Sequence, residues 1–239
     1  MSKKLFYLMT YLPALPANIG DPLAEEDAVA KIRDEADENL LLLADLLDVE
    51  NLIEQTGMQF FVLKNQDFKV ELSERLPAGF RETFSSFREV SEAVWLTSVY
   101  AAWFDLIIEM SRKAGSKMLS DWAKWEYSLR TALRIERMRV AGSGQTPDLS
   151  GIVPEFMNDP DFCIDHSSLV EAWKSTADPM AAEKLLDQNR IDYLRSFAGN
   201  FTFTVEELIA YMLELRIHKR YARLSPEQGR RILEEVTAL

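Results

Sequence analysis

The sequence has few of the residues that build metal sites, disulfides or phosphate-binding loops. Among 239 residues there are one cysteine, Cys163, and two histidines, His166 and His218. A single cysteine excludes an internal disulfide framework and fits a reducing compartment. Neither histidine follows a glutamate by three residues, which excludes the paired Glu-x-x-His motifs of di-iron bundles. With nine glycines and nine prolines, the composition also excludes collagen-like and low-complexity proteins.

Phosphate-binding signatures are absent from the sequence. There is no glycine-rich loop followed by Lys-Ser/Thr, and no paired-glycine dinucleotide fingerprint. The densest set of metal-ligand types is Asp161, Cys163, Asp165 and His166, but zinc needs four ligands and no second cysteine is present. We interpret this set as a loop that caps the next helix; the alternatives are a metal site or a Cys–His nucleophile pair. We predict no metal, no cofactor and no catalytic residues.

Positive charge is in short supply and negative charge is concentrated. The chain has 27 Lys and Arg against 39 Asp and Glu, a net charge of −12. Residues 21–54 carry a net −10, which leaves −2 for the remainder. This balance excludes the global basic charge of a generic nucleic-acid binder. The partner-binding candidates in the acidic segment are Asp34, Glu35, Asp37 and Glu38.

Long apolar runs are also missing. The longest run, Ala93–Phe104, is bounded by Glu92 and Asp105, and a bilayer span needs about 20 residues. The N-terminal stretch 5–12 follows two lysines but ends at Pro13, so we do not favour a signal peptide. We expect a cytoplasmic protein that does not span the membrane.

Helical signals dominate what is present. About half of the residues are apolar and 10% are aromatic, which is enough for a core and excludes disorder. Asp21-Pro22 predicts a helix start, and apolar residues at spacings of three and four predict one helix to about Leu47, with a short second helix over 51–55. By contrast, the aromatic stretch 5–12 predicts an extended segment or short strand, and 60–72 predicts a small hairpin.

Two long helices are predicted in the middle of the chain. The first runs over about 81–113 and ends at Gly115; the second is capped by Ser116 and runs over about 117–141. The short link between them predicts an antiparallel helical hairpin. Glu92, Asp105 and Glu109 interrupt the first helix, and we interpret them as ion-pair partners rather than catalytic acids. The aromatic stripe is interpreted as core, with a ligand pocket as the alternative; its members are Trp95, Tyr100, Trp103, Phe104, Trp122, Trp125 and Tyr127.

Glycines and prolines over 142–160 predict a linker between an N-terminal lobe, 1–141, and a C-terminal lobe, 161–239, unless the two form one continuous domain. Four helix starts follow, marked by capping boxes at Ser168, Thr204 and Ser225 and by Asp178-Pro179. The predicted fold is therefore all-α, a helical bundle of two lobes.

Basic residues form two groups, which complete the partner-binding candidates. One group shares a helix face; the other lies near the C-terminus. Three interpretations stay open: solvated helix faces, a phosphate-binding surface, or surfaces that meet the acidic segment or a protein partner. The residues are Arg130, Arg134 and Arg137 in the first group, and Arg216, Lys219, Arg220 and Arg223 in the second.

Three segments resemble proteins of the V/A-type rotary ATPases. The opening Tyr7–Pro16 is similar to the start of a bacterial family associated with these ATPases, with its aromatic-Leu-x-x-x-Leu-Pro signature. Asp48-Val-Glu-Asn51-Leu52 resembles the Asp-x-x-Asn-Leu pattern of the C/d family of V/A-type ATPase subunits. The closing Arg220–Glu235 looks like the C-terminus of the same bacterial family.

This resemblance implies a non-catalytic central-stalk subunit that serves proton or sodium translocation. In the C/d family an all-helical funnel sits on the membrane rotor ring, receives the foot of the central shaft and transmits torque. The implied partners are shaft and ring subunits on the cytoplasmic face of the membrane, with no small-molecule substrate. The alternative function is a nucleic-acid or regulatory protein-binding helical module. The chain is shorter than a three-lobed C/d protein. We expect residues 21–54 and 216–231 to form rim surfaces for these partners.

Overall fold

The computed structural model describes residues 3–24, 27–141, 151–158, 164–197 and 203–223, together with residues 230 and 234. Across these ranges the chain forms nine α-helices and no β-strand. The all-α prediction is therefore confirmed, and the predicted N-terminal strand and the 60–72 hairpin are wrong. The helices are α1 Lys3–Tyr11, α2 Ala28–Glu35, α3 Glu38–Thr56, α4 Ala78–Ser85, α5 Glu92–Ala114, α6 Lys117–Ala141, α7 Ser167–Ser175, α8 Pro179–Phe197 and α9 Val205–Arg223.

The N-terminal segment is helical because its leucines have helical spacing. Leu5 and Leu8 lie on one side of α1, Leu12 directly follows the helix four residues after Leu8, and Leu8 is buried in the main core. Burying one face of a helix outweighs the strand preference of the aromatic residues between them. In place of the predicted hairpin, a π-helical turn over Gly57–Val62 follows α3.

The helix predicted over 21–47 is two helices with a later start. Asp27 caps α2, accepting a hydrogen bond of 3.0 Å from the backbone N–H of Val29. The chain turns extended at Ala36, and Asp37 then caps α3 through the N–H of Leu40 at 2.9 Å. Each aspartate accepts a hydrogen bond from a free backbone N–H at a helix start, and one continuous helix would not use these caps. The short helix predicted over 51–55 is the C-terminal part of α3.

The helix predicted over 81–113 is also divided, but its C-terminal end is as predicted. It comprises α4, a 3-10 turn over Ser86–Arg88, and α5. Gly115 ends α5 with a φ of +64°, and Ser116 accepts a hydrogen bond of 3.2 Å from the N–H of Leu119 to begin α6. Helices α5 and α6 pack against each other, which confirms the helical hairpin.

Four of the seven residues of the aromatic stripe are buried in the main core, as predicted. Trp95, Trp103 and Trp122 are buried, and the Trp103 indole N–H donates a 2.7 Å hydrogen bond to the Leu46 carbonyl on α3. By length and composition alone, one described helix, α5, is apolar enough to cross a membrane. Within the fold it packs against α3, α4 and α6.

Three of the predicted C-terminal helix starts lie in the described residues, and two of them are confirmed. Asp178 caps α8 through the N–H of Ala181 at 2.9 Å, and Thr204 caps α9 through the N–H of Glu207 at 3.2 Å. The prediction at Ser168 is wrong, because α7 begins one residue earlier and Asp165 accepts the N–H of Ser167 at 2.8 Å. The predicted helix after Ser225 starts outside the described residues.

One core spans both sides of the predicted linker. Ile191 of α8 and Leu213 of α9 belong to the same buried cluster as the residues of α3 and α5. A smaller cluster joins α6, α7 and α8 around Leu129. The segment 142–160, of which only 151–158 is described, therefore separates two stretches of sequence that share a core.

Candidate functional site

A buried glutamate on α6 is the centre of an ion-pair network. Glu126 is fully buried, and Arg190 of α8 donates to both of its carboxylate oxygens at 2.8 and 3.0 Å. Arg130, one turn further along α6, donates to the same carboxylate at 2.6 Å. Burial by itself would raise the pKa of Glu126, but the two guanidiniums hold it far below its usual range.

The network continues to α3 and α9 through Glu50. The Arg130 guanidinium also pairs with Glu50, and Arg216 of α9 places its Nη1 2.5 Å from Oε2 of that glutamate. Burial opposes ionisation of Glu50, yet the two arginines lower its pKa. Four helices that are distant in sequence are therefore joined by carboxylates that stay charged.

Asp187 of α8 closes the network. It accepts a 2.8 Å hydrogen bond from Arg190 on its own helix and pairs with Arg220 of α9. We call the following set the buried charge network: Glu50, Glu126, Arg130, Asp187, Arg190, Arg216 and Arg220.

Aromatic rings enclose two arginines of the buried charge network. The Arg216 guanidinium lies 5.7 Å from the ring centres of both Trp103 and Trp122. Arg130 lies 5.0 Å from the ring centre of Tyr100. Such cation–π contacts replace part of the hydration that a buried guanidinium loses.

Four of the predicted partner-binding arginines have partners inside their own chain, three of them in the buried charge network and the exposed Arg137 through Glu183, whose Oε1 lies 3.6 Å from its Nη2. Arg130, Arg216 and Arg220 were expected on partner-facing surfaces, whereas the structure places them in the buried charge network. Lys219 Nζ lies 3.6 Å from Asp27. The physical reason is that acidic and basic segments of one chain meet when α9 packs beside α2 and α3. Of the three open interpretations, contact between the acidic and basic segments describes Arg130, Arg216 and Lys219, whereas Arg220 pairs with a carboxylate of α8.

The other basic candidates lie at the end of α6. Arg134 and Arg137 are exposed, as is Arg139, and Ile135 and Met138 between them are exposed apolar residues. We call these five residues the α6 end surface. The side chain of Arg223, the last candidate, lies outside the described part of the chain.

The acidic candidates remain together at the surface. Asp34 and Glu35 end α2, and Asp37 and Glu38 begin α3, so all four lie at one exposed junction. This junction and the α6 end surface carry opposite charge.

The Asp-x-x-Asn-Leu segment lies on α3 where this helix faces α9. Asp48 pairs with Arg33 of α2 at 2.9 Å, and Glu50 belongs to the buried charge network. Asp48 and Asn51 line a small cavity together with Met212 of α9. The segment thus holds α2, α3 and α9 together.

No role was predicted from the sequence for Glu126, Asp187 or Arg190, although they organise the network. The local signal was the spacing, since Glu126–Arg130 and Asp187–Arg190 are neighbours on their helices. The same spacing is typical of solvated helix faces, so only the burial of the side chains distinguishes a buried network from a surface pair.

The residues weighed in the sequence as metal ligands or catalytic acids are in part described by the structure. Among the described residues no group of three or more His, Cys, Asp and Glu side chains is placed to hold a metal, and Asp161 and Cys163 lie outside those residues. His166 is buried with its ring against Trp125. Asp105 accepts a 2.8 Å hydrogen bond from the Glu155 N–H, and Glu109 pairs with Lys113.

Comparison with known proteins yields one family. The family model described as "Protein of unknown function (DUF2764)" matches residues 59–238. No curated protein and no solved structure matches the chain.

Proposed function

The chain belongs to the DUF2764 family, and we propose that it is a non-catalytic central-stalk subunit of a V/A-type rotary ATPase. In this role it links the shaft to the membrane rotor ring from the cytoplasmic side and binds protein partners rather than a small molecule. The proposal starts from the three segments that resemble V/A-type ATPase proteins, two of which, Tyr7–Pro16 and Asp48–Leu52, precede the part matched by the family model.

The observation that carries the proposal is the position of the Asp48–Leu52 segment. Its Glu50 joins α3 to α6 and α9 through two partly buried arginines, and its Asp48 joins α3 to α2. A part that transmits torque must resist sliding between its helices. A charge-assisted hydrogen bond such as that from Arg130 to Glu50 resists such sliding because its geometry is narrow.

Two exposed surfaces of opposite charge support a part with two partners. The acidic α2–α3 junction around Asp37 and the basic α6 end surface around Arg137 belong to different helices. Complementary charge on a partner selects the partner and its orientation more than it adds affinity. One such surface suits the shaft and the other suits the ring.

The test is purification of the tagged full chain from native membranes, followed by identification of the bound proteins. We expect rotary-ATPase shaft and ring subunits to be recovered. A triple variant of the α6 end surface, R134E/R137E/R139E, should lose one of these groups of subunits. The matched control, K69E/R112E/K117E, makes the same change in charge at exposed residues elsewhere. Recovery without any rotary-ATPase subunit from the unaltered protein would overturn the proposal.

The competing function is a nucleic-acid or regulatory binding module that uses the basic residues. Fewer basic residues are left for this function, because Arg130, Arg216 and Arg220 already neutralise carboxylates of their own chain. Binding to duplex and single-stranded probes that weakens steeply with added salt would favour it over the stalk proposal.

A further inference from the structure

An open groove lies between α1 and α2, on the side of the molecule that carries the acidic junction. Its volume is about 420 Å³. One wall is formed by Tyr7 and Tyr11 of α1, and the other by the C-terminal half of α2. Leu8, which is buried, lies at the base. The groove does not belong to the buried charge network.

The two tyrosines are unusually exposed for aromatic residues. Tyr7 is 62% exposed and Tyr11 is 70% exposed. They are four residues apart, so their rings lie on the same side of α1, while the neighbouring Leu8 packs into the core below them. Packing of α1 therefore does not require these rings. Large exposed apolar groups that do not serve the core are typical of binding surfaces.

The opposite wall has free negative charge. Asp34 and Glu35 are exposed and form no ion pair with another described residue. Arg33, the nearest arginine in sequence, is turned away and pairs with Asp45 at 2.6 Å and with Asp48 at 2.9 Å. Lys31, the cation among the described residues that line the groove, donates through Nζ to the carbonyl oxygen of Tyr11 at 3.1 Å and thereby holds the walls together.

We propose that this groove binds an arginine-bearing apolar segment of a partner protein. A guanidinium stacks on a tyrosine face and at the same time forms paired hydrogen bonds with a carboxylate. The groove offers both elements, since Tyr7 and Tyr11 face Asp34 and Glu35 across it. An ammonium group matches less well because it is compact and strongly hydrated. The inference holds whether or not the partner is a rotary-ATPase subunit.

The probe is a short fluorescein-labelled peptide of leucine, alanine and arginine, with its arginines four residues apart. Two companion peptides carry lysine or citrulline instead of arginine; citrulline keeps the shape but has no charge. Fluorescence polarisation with the full-length protein measures their binding. We expect the arginine peptide to bind most tightly, and the citrulline peptide to bind about tenfold more weakly or worse.

Substitutions in each wall test the contributions of the tyrosines and of the carboxylates separately. Y7A/Y11A removes the rings and should weaken binding of the arginine peptide about tenfold, whereas Y7F/Y11F keeps the ring faces and should bind nearly as well as the unaltered protein. D34N/E35Q should weaken binding and also flatten its salt dependence. The control D67N/E71Q removes the same charge from exposed residues outside the groove lining and should change nothing.

Any of four results would overturn the inference. The first is absence of binding by all three peptides, and the second is equal binding of the arginine and citrulline peptides. The third is binding that survives both Y7A/Y11A and D34N/E35Q, and the fourth is self-association of the chain that only the groove variants abolish. The side chains changed are exposed, so an unaltered melting temperature verifies that each variant is folded. Failure of the stalk proposal would leave these peptide results unaffected.

Discussion

Arg190 on α8 donates to both carboxylate oxygens of Glu126 on α6, 64 residues earlier in the chain. Both side chains lie in the interior, and Arg130 forms a second ion pair with the same glutamate. A buried ion pair of this kind adds little compared with an apolar contact of the same shape. Loss of one partner is costly because the other is left charged in a low-dielectric interior.

Glu126→Gln should therefore destabilise the fold strongly. The amide keeps the shape but leaves two arginines without their counter-charge, and we expect the free energy of unfolding to fall by about 3–5 kcal/mol. Urea denaturation followed by circular dichroism measures it. The control is Glu109→Gln, which removes a half-exposed pair with Lys113 and should cost less than about 1 kcal/mol. Equal losses of unfolding free energy in the two variants would show that the buried charge network does not cause the destabilisation.

Acid should unfold the protein through the same carboxylates. The folded-state pKa values of Glu126 and Glu50 are lowered, whereas both glutamates have their ordinary pKa of about 4.3 once unfolded. Their contribution to the free energy of unfolding is complete at pH values well above about 4.3. It is lost as the pH falls toward the lowered folded-state pKa, because the unfolded chain takes up protons first. Melting temperature against pH should drop steeply below about pH 5. The slope should be smaller for Glu126→Gln; identical slopes would contradict this explanation.

Two glycine substitutions should have effects of opposite sign. Gly115 has a φ of +64° at the end of α5, whereas Gly79 lies within α4, and an added Cβ meets no atom within 4 Å at either position. Gly115→Ala should cost about 1 kcal/mol through backbone strain. Gly79→Ala should add about 0.5–1 kcal/mol because alanine favours the helix. Thermal denaturation of both variants, measured together, checks the sign; a loss at Gly79 would refute the second expectation.

Trp103→Phe should loosen the contact between α5 and α3. The change removes a buried 2.7 Å hydrogen bond to the Leu46 carbonyl and part of a ring that Arg216 stacks on. We expect a loss of about 2–4 kcal/mol from the missing hydrogen bond and the cavity. Near-ultraviolet circular dichroism during urea unfolding measures it. Trp173→Phe, at a half-buried position on α7, is the control and should cost less than about 1 kcal/mol.

Several elements were predictable because their signals are local. Gly115 ends a helix through its left-handed backbone, Asp178 begins one through its carboxylate, and both effects act within a few residues. The tryptophan stripe was predictable as core because its helical spacing places it on one side. The predictions failed at α1 and at Ala36, where two local tendencies compete and packing selects between them.

The sequence by itself determined the all-α class, several of the helix ends and the concentration of negative charge in residues 21–54. It could not show which charges face water, because Glu126 with Arg130 has the same spacing as any surface pair. Only the tertiary structure decided that Arg216 neutralises Glu50 inside the protein while Arg137 and Asp34 stay exposed. The physical reason is that ion pairing in the interior depends on helices brought together by apolar burial, and the positions of those helices are a property of the whole fold.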